Sequence, residues 1–162
     1  MQQDDVLFAQ DLPPLVNDHL QEAVTLYHDT ARAEQALWSA YELAPERLEV
    51  HIALYKFYFY KGRLADAERI TYKALEISSS LGGFSANWSE LDEHSAQWTP
   101  AESMARFYLY TLKALAFIRL RRDDAEMAKE ILDKIQQLDP EDQVGASVIV
   151  DLALGAGAVG HG

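Results

Sequence analysis

The stretch Tyr55–Ala67 reads YKFYFYKGRLADA and holds five aromatic residues in its first six positions. A helix on a protein surface is ordinarily polar along one side. A run that is apolar on every side therefore predicts a helix with neighbours in nearly all directions. We interpret Tyr55–Tyr60 as part of such a buried helix, and Gly62 as the left-handed residue that ends it.

The residues around this stretch recur at a fixed spacing of 34 positions. Four residues of a first copy return in a second, as Leu20, Val24, Ala33 and Ala40 followed by Leu54, Tyr58, Ala67 and Ala74. The leucine and one alanine return once more as Leu115 and Ala128, 61 positions further on, which is one period and an insertion of 27 residues. Pro45 and Pro140 close the first and third copies. A repeat of this length is typical of stacked helix pairs, because one pair cannot bury its apolar faces alone.

This pattern resembles the tetratricopeptide repeat, which has a leucine on a first helix, a small residue on a second and a closing proline. The pattern residues are Leu20, Val24, Ala33, Leu37, Ala40 and Pro45, then Leu54, Tyr58, Gly62, Ala67, Thr71 and Ala74, and last Leu115, Ala128, Leu132 and Pro140. The resemblance implies an all-α fold, namely a right-handed α-α superhelix of three helix pairs with a C-terminal capping helix.

The spacing predicts repeats over about 14–47, 48–81 and 109–142 within a single domain of residues 1–154. The extra residues form an insertion over about 82–99. We expect Gly82–Gly83 to end the helix before the insertion, and Thr99 and Pro100 to begin the helix after it. Residues 144–154 predict a short capping helix, with a strand as the alternative. Residues 155–162 are rich in glycine and predict a flexible tail.

The insertion carries four large apolar residues, Phe84, Trp88, Leu91 and Trp98. In one interpretation its tryptophans hold the loop against the repeat junction. In the other, Trp88 or Trp98 covers the groove or contacts a partner, since tryptophan is enriched at interface anchors. The first interpretation is favoured, and the second stays open.

First helices line the concave side of such a stack, and that side is the expected binding surface. The predicted groove consists of Asp18, Glu22, Ile52, Lys56, Phe59, Tyr60, Lys113, Phe117, Leu120 and Arg121. It is acidic at one end, aromatic in the middle and basic at the other, which suits a peptide or an amphipathic helix. In the alternative interpretation these charges are only solvated, and the insertion packs over Phe59 and Phe117.

The chain has a net charge of -12 at pH 7 and no cysteine. An acidic surface disfavours nucleic acid and anionic membranes as partners. Without cysteine there are no disulfides and no cysteine-type zinc sites. The first residues lack the basic and apolar regions of a signal peptide, and no stretch reaches membrane-spanning length, so we expect a cytoplasmic protein.

Catalytic chemistry is not indicated by any motif. The five histidines do not form a metal-binding pattern, and no phosphate-binding loop or nucleophile elbow is present. We therefore expect a non-enzymatic protein without metal or cofactor, a scaffold or adaptor that binds a protein segment in its groove. One alternative is a small acidic chaperone of the type III secretion kind, which the repeat number and charge resemble. Another is a self-associating homodimer whose groove or tail is filled by its own partner chain.

Overall fold

Helices account for all the regular structure in residues 12–149, the part of the chain that the computed structural model describes. In chain order they are α1 (Pro14–Thr25), α2 (Thr30–Leu43), α3 (Leu48–Tyr60), α4 (Leu64–Gly82), α5 (Met104–Arg121) and α6 (Ala125–Leu138). A single 3-10 turn, Trp88–Glu90, lies between α4 and α5. The all-α class is therefore confirmed for the described residues.

Most of these helices start and stop at residues whose local chemistry favours an end. Asp29 and Asp124 cap α2 and α6, since their carboxylates accept hydrogen bonds from the backbone N–H of Arg32 and Met127. Pro14 opens α1, at a position where a missing N–H costs nothing.

Left-handed residues end three of the helices. Gly62 and Gly83 have φ angles of 77° and 78°, as the sequence predicted, and Asp123 takes the same conformation at 63°. After Gly62, the backbone N–H of Arg63 donates to the Tyr58 carbonyl at 2.8 Å, which satisfies one of the last free carbonyls of α3. The turn between α3 and α4 is therefore fixed by backbone geometry.

The predicted start of α5 is wrong. Thr99 and Pro100 lie outside the helix, which begins at Met104. Ser103 is the actual N-cap, because its hydroxyl accepts a hydrogen bond from the Arg106 backbone N–H at 3.2 Å. The proline forms part of the turn that leads in, where its carbonyl accepts a hydrogen bond from the Ser103 hydroxyl at 2.8 Å.

Replacing Ser103 with alanine tests this start directly. We expect Ser103→Ala to lower the free energy of unfolding by about 1 kcal/mol, the usual effect of losing an N-cap. Thr99→Ala is the matched control and should change it by less than about 0.5 kcal/mol, as an exposed surface substitution does. Urea denaturation of both variants measures the difference. A larger loss of unfolding free energy in Thr99→Ala than in Ser103→Ala would show that Thr99 is the N-cap, as the sequence predicted.

The three repeat alanines occupy equivalent places on successive second helices. Ala33, Ala67 and Ala128 are each 0% exposed. Each donates its backbone N–H to the carbonyl four residues earlier, at the residue just before its helix. A small side chain at this point lets the helix approach its neighbour closely.

The chain forms two compact units, Met1–Ile70 and Thr71–Gly162, and the boundary between them falls inside α4. Whether they act as one domain, as the repeats predict, stays a prediction. In the first unit α1 packs on α2, and α2 packs on α3. Its buried core comes from all three helices and includes Val16, Leu37 and Leu54.

In the second unit α5 packs on α6, and the 3-10 turn contacts α6. Its core is built around Leu109, Leu112, Ile131 and Ile135. Residues 147–149 are helical and Ile149 joins this core, so the described part of the predicted capping segment, 144–149, contains helix and no strand. The rest of that segment and the predicted tail at 155–162 lie outside the described residues.

Candidate functional site

The aromatic run of the sequence lies on α3, which is buried around most of its circumference. Its buried residues are Leu48, Val50, His51, Ile52, Leu54, Tyr55, Phe57 and Tyr58. Tyr60, at the end of the helix, is 69% exposed. Packing therefore explains most of the aromatic residues in the run, but it leaves Tyr60 unexplained.

Tyr60 lines an open, mainly apolar pocket of about 200 Å³ in the first unit. We call it the α1–α3 pocket. It is formed by Leu12, Asn17, Leu20, Gln21, Ala23, Val24, Tyr27, Leu37, Glu49, Ile52, Ala53, Lys56, Phe57 and Tyr60. Val24 is 58% exposed, so both walls present large apolar side chains to solvent. Exposed apolar surface of this kind commonly marks a binding site.

Three of the predicted groove residues line the α1–α3 pocket: Ile52, Lys56 and Tyr60. A fourth, Phe59, is half-buried beside it, and its ring meets that of Tyr60 edge to face with centroids 5.5 Å apart. The structure thus brings the middle stripe of the predicted groove together on one side of α3.

The α1 wall of the pocket consists of residues that the predicted groove did not include: Asn17, Leu20, Gln21, Ala23 and Val24. The predicted Asp18 and Glu22 follow two of these in sequence and are exposed on the same helix. Glu22 lines a separate polar cavity of about 260 Å³, formed by Glu22, Leu26, Arg32, Gln35, Ala36 and Ser39. Neither of the two predicted acidic residues therefore lines the α1–α3 pocket.

The repeat spacing relates this wall to a face of α3. Moved forward by 34 positions, four residues of the α1 wall correspond to His51, Leu54, Tyr55 and Tyr58 on α3. On α3 that face is buried against α2, where the His51 ring meets Tyr41 at 5.3 Å. On α1 the same face borders the pocket. The signal in the sequence was the 34-residue spacing itself, which placed this face without showing whether it is covered.

A polar cluster fixes α3 against α2 behind the pocket. The Tyr58 hydroxyl donates to Glu34 Oε2 at 2.5 Å and accepts from Trp38 Nε1 at 2.8 Å. Arg63 donates to Glu34 Oε1 at 3.0 Å. The hydrogen bond from Tyr58 is the main reason that the pKa of Glu34 is lowered. Burial, followed by that same bond, raises the pKa of Tyr58 to about 12.

Lys61 holds one corner of the pocket in place. Its ammonium donates to the Tyr27 carbonyl at 2.8 Å and lies 3.9 Å from the centre of the Tyr27 ring. The Tyr27 ring also meets Phe57 edge to face, at 6.1 Å between centroids. Both rings line the pocket. Their positions are therefore set by contacts outside the cavity, so this part of the pocket is preformed.

The remaining predicted groove residues lie on α5 in the second unit. Lys113 donates to the Val144 carbonyl at 2.8 Å, and its ammonium lies 4.9 Å from the Tyr110 ring centre. Phe117 packs against the core of that unit. Leu120 is half-buried and Arg121 is exposed. A single groove that includes these residues stays a prediction.

The insertion is attached to the second unit by its aromatic residues. Trp98 is 5% exposed, and its ring meets that of Phe84 at 5.2 Å. Its indole N–H donates to the Asp92 carbonyl at 3.0 Å, and Tyr108 donates to the Ala86 carbonyl at 2.6 Å. Trp88 is half-buried against the same core. These contacts favour the interpretation in which the tryptophans hold the loop in place.

Two further features bear on the chemistry of the described residues. In residues 12–149, no group of three or more histidine, aspartate or glutamate side chains is placed to hold a metal ion. In the same range, no helix combines the length and the apolar character needed to cross a membrane.

No protein-family model matches the chain, and no solved structure matches it. A curated relative is an uncharacterised 19.8 kDa protein encoded in the nifW 5′ region of Azotobacter chroococcum mcd 1. The two proteins are 37% identical over 124 residues. That alignment covers 74% of this chain and 68% of the relative.

Proposed function

We propose that this chain, which belongs to the family of the uncharacterised Azotobacter nifW-region protein, is a non-catalytic module that binds a segment of a partner protein. The observation that carries the proposal is the α1–α3 pocket, with Val24 and Tyr60 more than half exposed on its two walls. An exposed apolar patch of this kind commonly marks a protein–protein interaction site or a ligand-binding groove. A protein segment is the ligand that such a groove suits.

The ionisable groups of the pocket support a binding role over a chemical one. Glu49 is bound by Arg47, whose Nε and terminal nitrogen approach its two carboxylate oxygens at 3.2 and 3.0 Å. This bidentate pair engages both carboxylate oxygens of Glu49. Lys56 already takes part in another interaction. The rest of the lining is apolar, amide or tyrosine.

We also infer that the helix pairs are tetratricopeptide-like repeats that stack in a right-handed superhelix. Support comes from Ala33, Ala67 and Ala128, which are fully buried at the same position of the second helix of each pair. The proposal extends this local equivalence to the whole chain, since repeats of this kind bury their faces by stacking.

Replacing Tyr60 with alanine tests the function. Chemical cross-linking in the native host, followed by mass spectrometry, should recover a partner with the wild-type chain and at least about tenfold less of it with Tyr60→Ala, as loss of an aromatic anchor gives. The melting temperature should fall by no more than a few degrees, because the side chain is 69% exposed.

Leu43→Ala is the matched control for this experiment. Leu43 is a large apolar residue on α2 that is 50% exposed and does not line the α1–α3 pocket. Recovery of the partner should be unchanged in this variant. Equal recovery with all three proteins would contradict the proposal, as would recovery of the chain itself and nothing else.

A further inference from the structure

The chain contributes to the α1–α3 pocket before α1 begins. Leu12 is the first described residue, it lines the pocket, and it is 9% exposed. Pro13 follows with a φ angle of -54° and a ψ angle of 142°, which are extended rather than helical values. The chain therefore leaves the axis of α1 at this point, with the Leu12 side chain in the pocket wall. Residues 1–11 are attached directly at the pocket.

Residues 1–11 read MQQDDVLFAQD and contain one run of large apolar residues, Val6, Leu7 and Phe8. Most of the other residues in this segment are glutamine or aspartate. Apolar side chains gain free energy when another surface removes them from water. The apolar run is therefore a candidate occupant for an apolar pocket close to it.

The apolar run is within reach of the whole α1 wall. Phe8 precedes Leu12 by four positions and Val6 precedes it by six, and an extended chain covers about 13–22 Å over those lengths. From Leu12 to Val24 the α1 wall measures roughly 18 Å, at the rise of a helical residue. The length of chain before Leu12 therefore suffices to place one of these side chains at any point along the wall.

The pocket has room for one such side chain. Its volume is about 200 Å³, and an apolar cavity of about 150 Å³ is large enough to hold benzene. Leu20 and Val24 line it on α1, and Ile52 and Phe57 line it on α3. A leucine or phenylalanine side chain between these walls would lose contact with water on most sides.

Covalent attachment favours a segment of the same chain over a free one. A site meets a segment on a short tether at an effective concentration on the order of millimolar. A contact of only millimolar affinity is therefore populated without any partner. A partner segment that also makes contacts outside the pocket binds more tightly and displaces the tethered one.

We propose that the side chain of Leu7 or Phe8 occupies the α1–α3 pocket of its own chain when no partner is bound, and that a partner segment displaces it. The displacement rests on the proposed function and adds its regulation. The apparent affinity for a partner is reduced in proportion to the fraction of chains whose pocket is free. The segment therefore selects against partners that offer a single apolar side chain.

Disulfide trapping tests the position of the segment, and the chain suits it because it has no cysteine of its own. Ala9→Cys places a thiol next to Phe8 and keeps the apolar run. Gln21→Cys places the second thiol on the α1 wall of the pocket. In a glutathione redox buffer this pair should form a disulfide within one chain. Thiol titration over time gives the rate, and a non-reducing gel shows that the product is a monomer.

Ala9→Cys with Glu22→Cys is the matched control. Glu22 directly follows Gln21, is also exposed and does not line the pocket. Gln21 and Glu22 are 12 and 13 positions from Ala9, so an unbound segment would close both loops at nearly the same rate. After correction for the reaction of each thiol with glutathione, we expect the Gln21 pair to close at least about tenfold faster, as a segment held at the pocket gives. Adding Leu7→Ser with Phe8→Ser should remove this advantage.

The same serine substitutions test the displacement. In otherwise wild-type chain, Leu7→Ser with Phe8→Ser should raise the recovery of the partner in the host cross-linking experiment by at least about twofold, because the pocket is then free in every chain. Recovery equal to that of the wild-type chain would overturn the displacement.

The outcomes separate this inference from the function. Equal closure rates for the Gln21 and Glu22 pairs would overturn the inference and leave the Tyr60→Ala test of the function intact, as would an advantage that survives the serine substitutions. A disulfide between two chains would also overturn it, because the occupant would then come from a second copy. If the Gln21 pair closes selectively but no protein recovers a partner, the place of the segment is supported while the displacement and the proposed function both fail.

Discussion

Trp98→Ala should lower the free energy of unfolding by about 3–5 kcal/mol, the usual range for removing a buried large aromatic side chain. Trp98 is 5% exposed and its ring meets both Phe84 and Tyr108. The substitution also removes the indole N–H that donates to the Asp92 carbonyl. We expect it to release the segment between α4 and α5 and to leave a cavity in the second unit.

Trp88→Ala is the control, because Trp88 comes from the same segment but is only half-buried. Trp88→Ala should lower the free energy of unfolding by less than about 2 kcal/mol, since less of the Trp88 ring is removed from water. Urea denaturation followed by circular dichroism gives both values. If the two variants lose the same stability, Trp98 is not the residue that holds the segment. A loss below about 1 kcal/mol for Trp98→Ala would have the same meaning.

Helix ends that a single residue determines could be predicted from the sequence. The turn at Gly62 is an example, because a left-handed φ angle strongly favours glycine and the preceding run is helical by pattern. The buried positions of Ala33, Ala67 and Ala128 follow from the 34-residue spacing together with the 27-residue insertion. In both cases the information lies within a few residues or in a strict period.

The start of α5 could not be predicted from the sequence, because two possible N-cap residues lie within a few positions of each other. Thr99 with Pro100 satisfies the local rule for a helix start as well as Ser103 does. Trp98, directly before Thr99, is buried and packs on Phe84 and Tyr108, which lie 14 and 10 positions away in sequence. That contact is not local, so no pattern near Thr99 reveals it.

The α3 wall of the candidate site could be predicted from the sequence, but the α1 wall could not. Ile52, Lys56 and Tyr60 form a helical stripe that the sequence shows directly. Their opposite wall consists of Leu20, Val24 and their neighbours, which have the pattern of core residues. Only the packing of α1 shows that this face borders an open pocket. Periodicity shows which residues share one face of a helix, but it does not show whether another helix packs on that face.

The pH dependence of stability should differ between the wild-type chain and Tyr58→Phe. At neutral pH the variant should be less stable by about 1–3 kcal/mol, because Glu34 and Trp38 each lose a hydrogen-bond partner. Folding raises the pKa of Tyr58 from 10.0 to about 12, so its contribution is fully present below pH 10 and declines as the pH rises toward 12. Phenylalanine has no such titration.

The difference between the two proteins should therefore shrink by about 1.4 kcal/mol by about pH 11, one unit above the ordinary tyrosine pKa. Tyr108, whose pKa is also raised by burial, is present in both proteins and does not affect the comparison. Urea denaturation of both proteins at neutral pH and near pH 11 measures the change. The Glu34→Gln variant should still lose most of this stability between neutral pH and pH 11. The reason is that burial is the first cause of the raised pKa of Tyr58, and the hydrogen bond to Glu34 is the second. A stability difference that stays constant with pH would show that Tyr58 is not held neutral by the fold, and would weaken the view that this cluster fixes α3 behind the pocket.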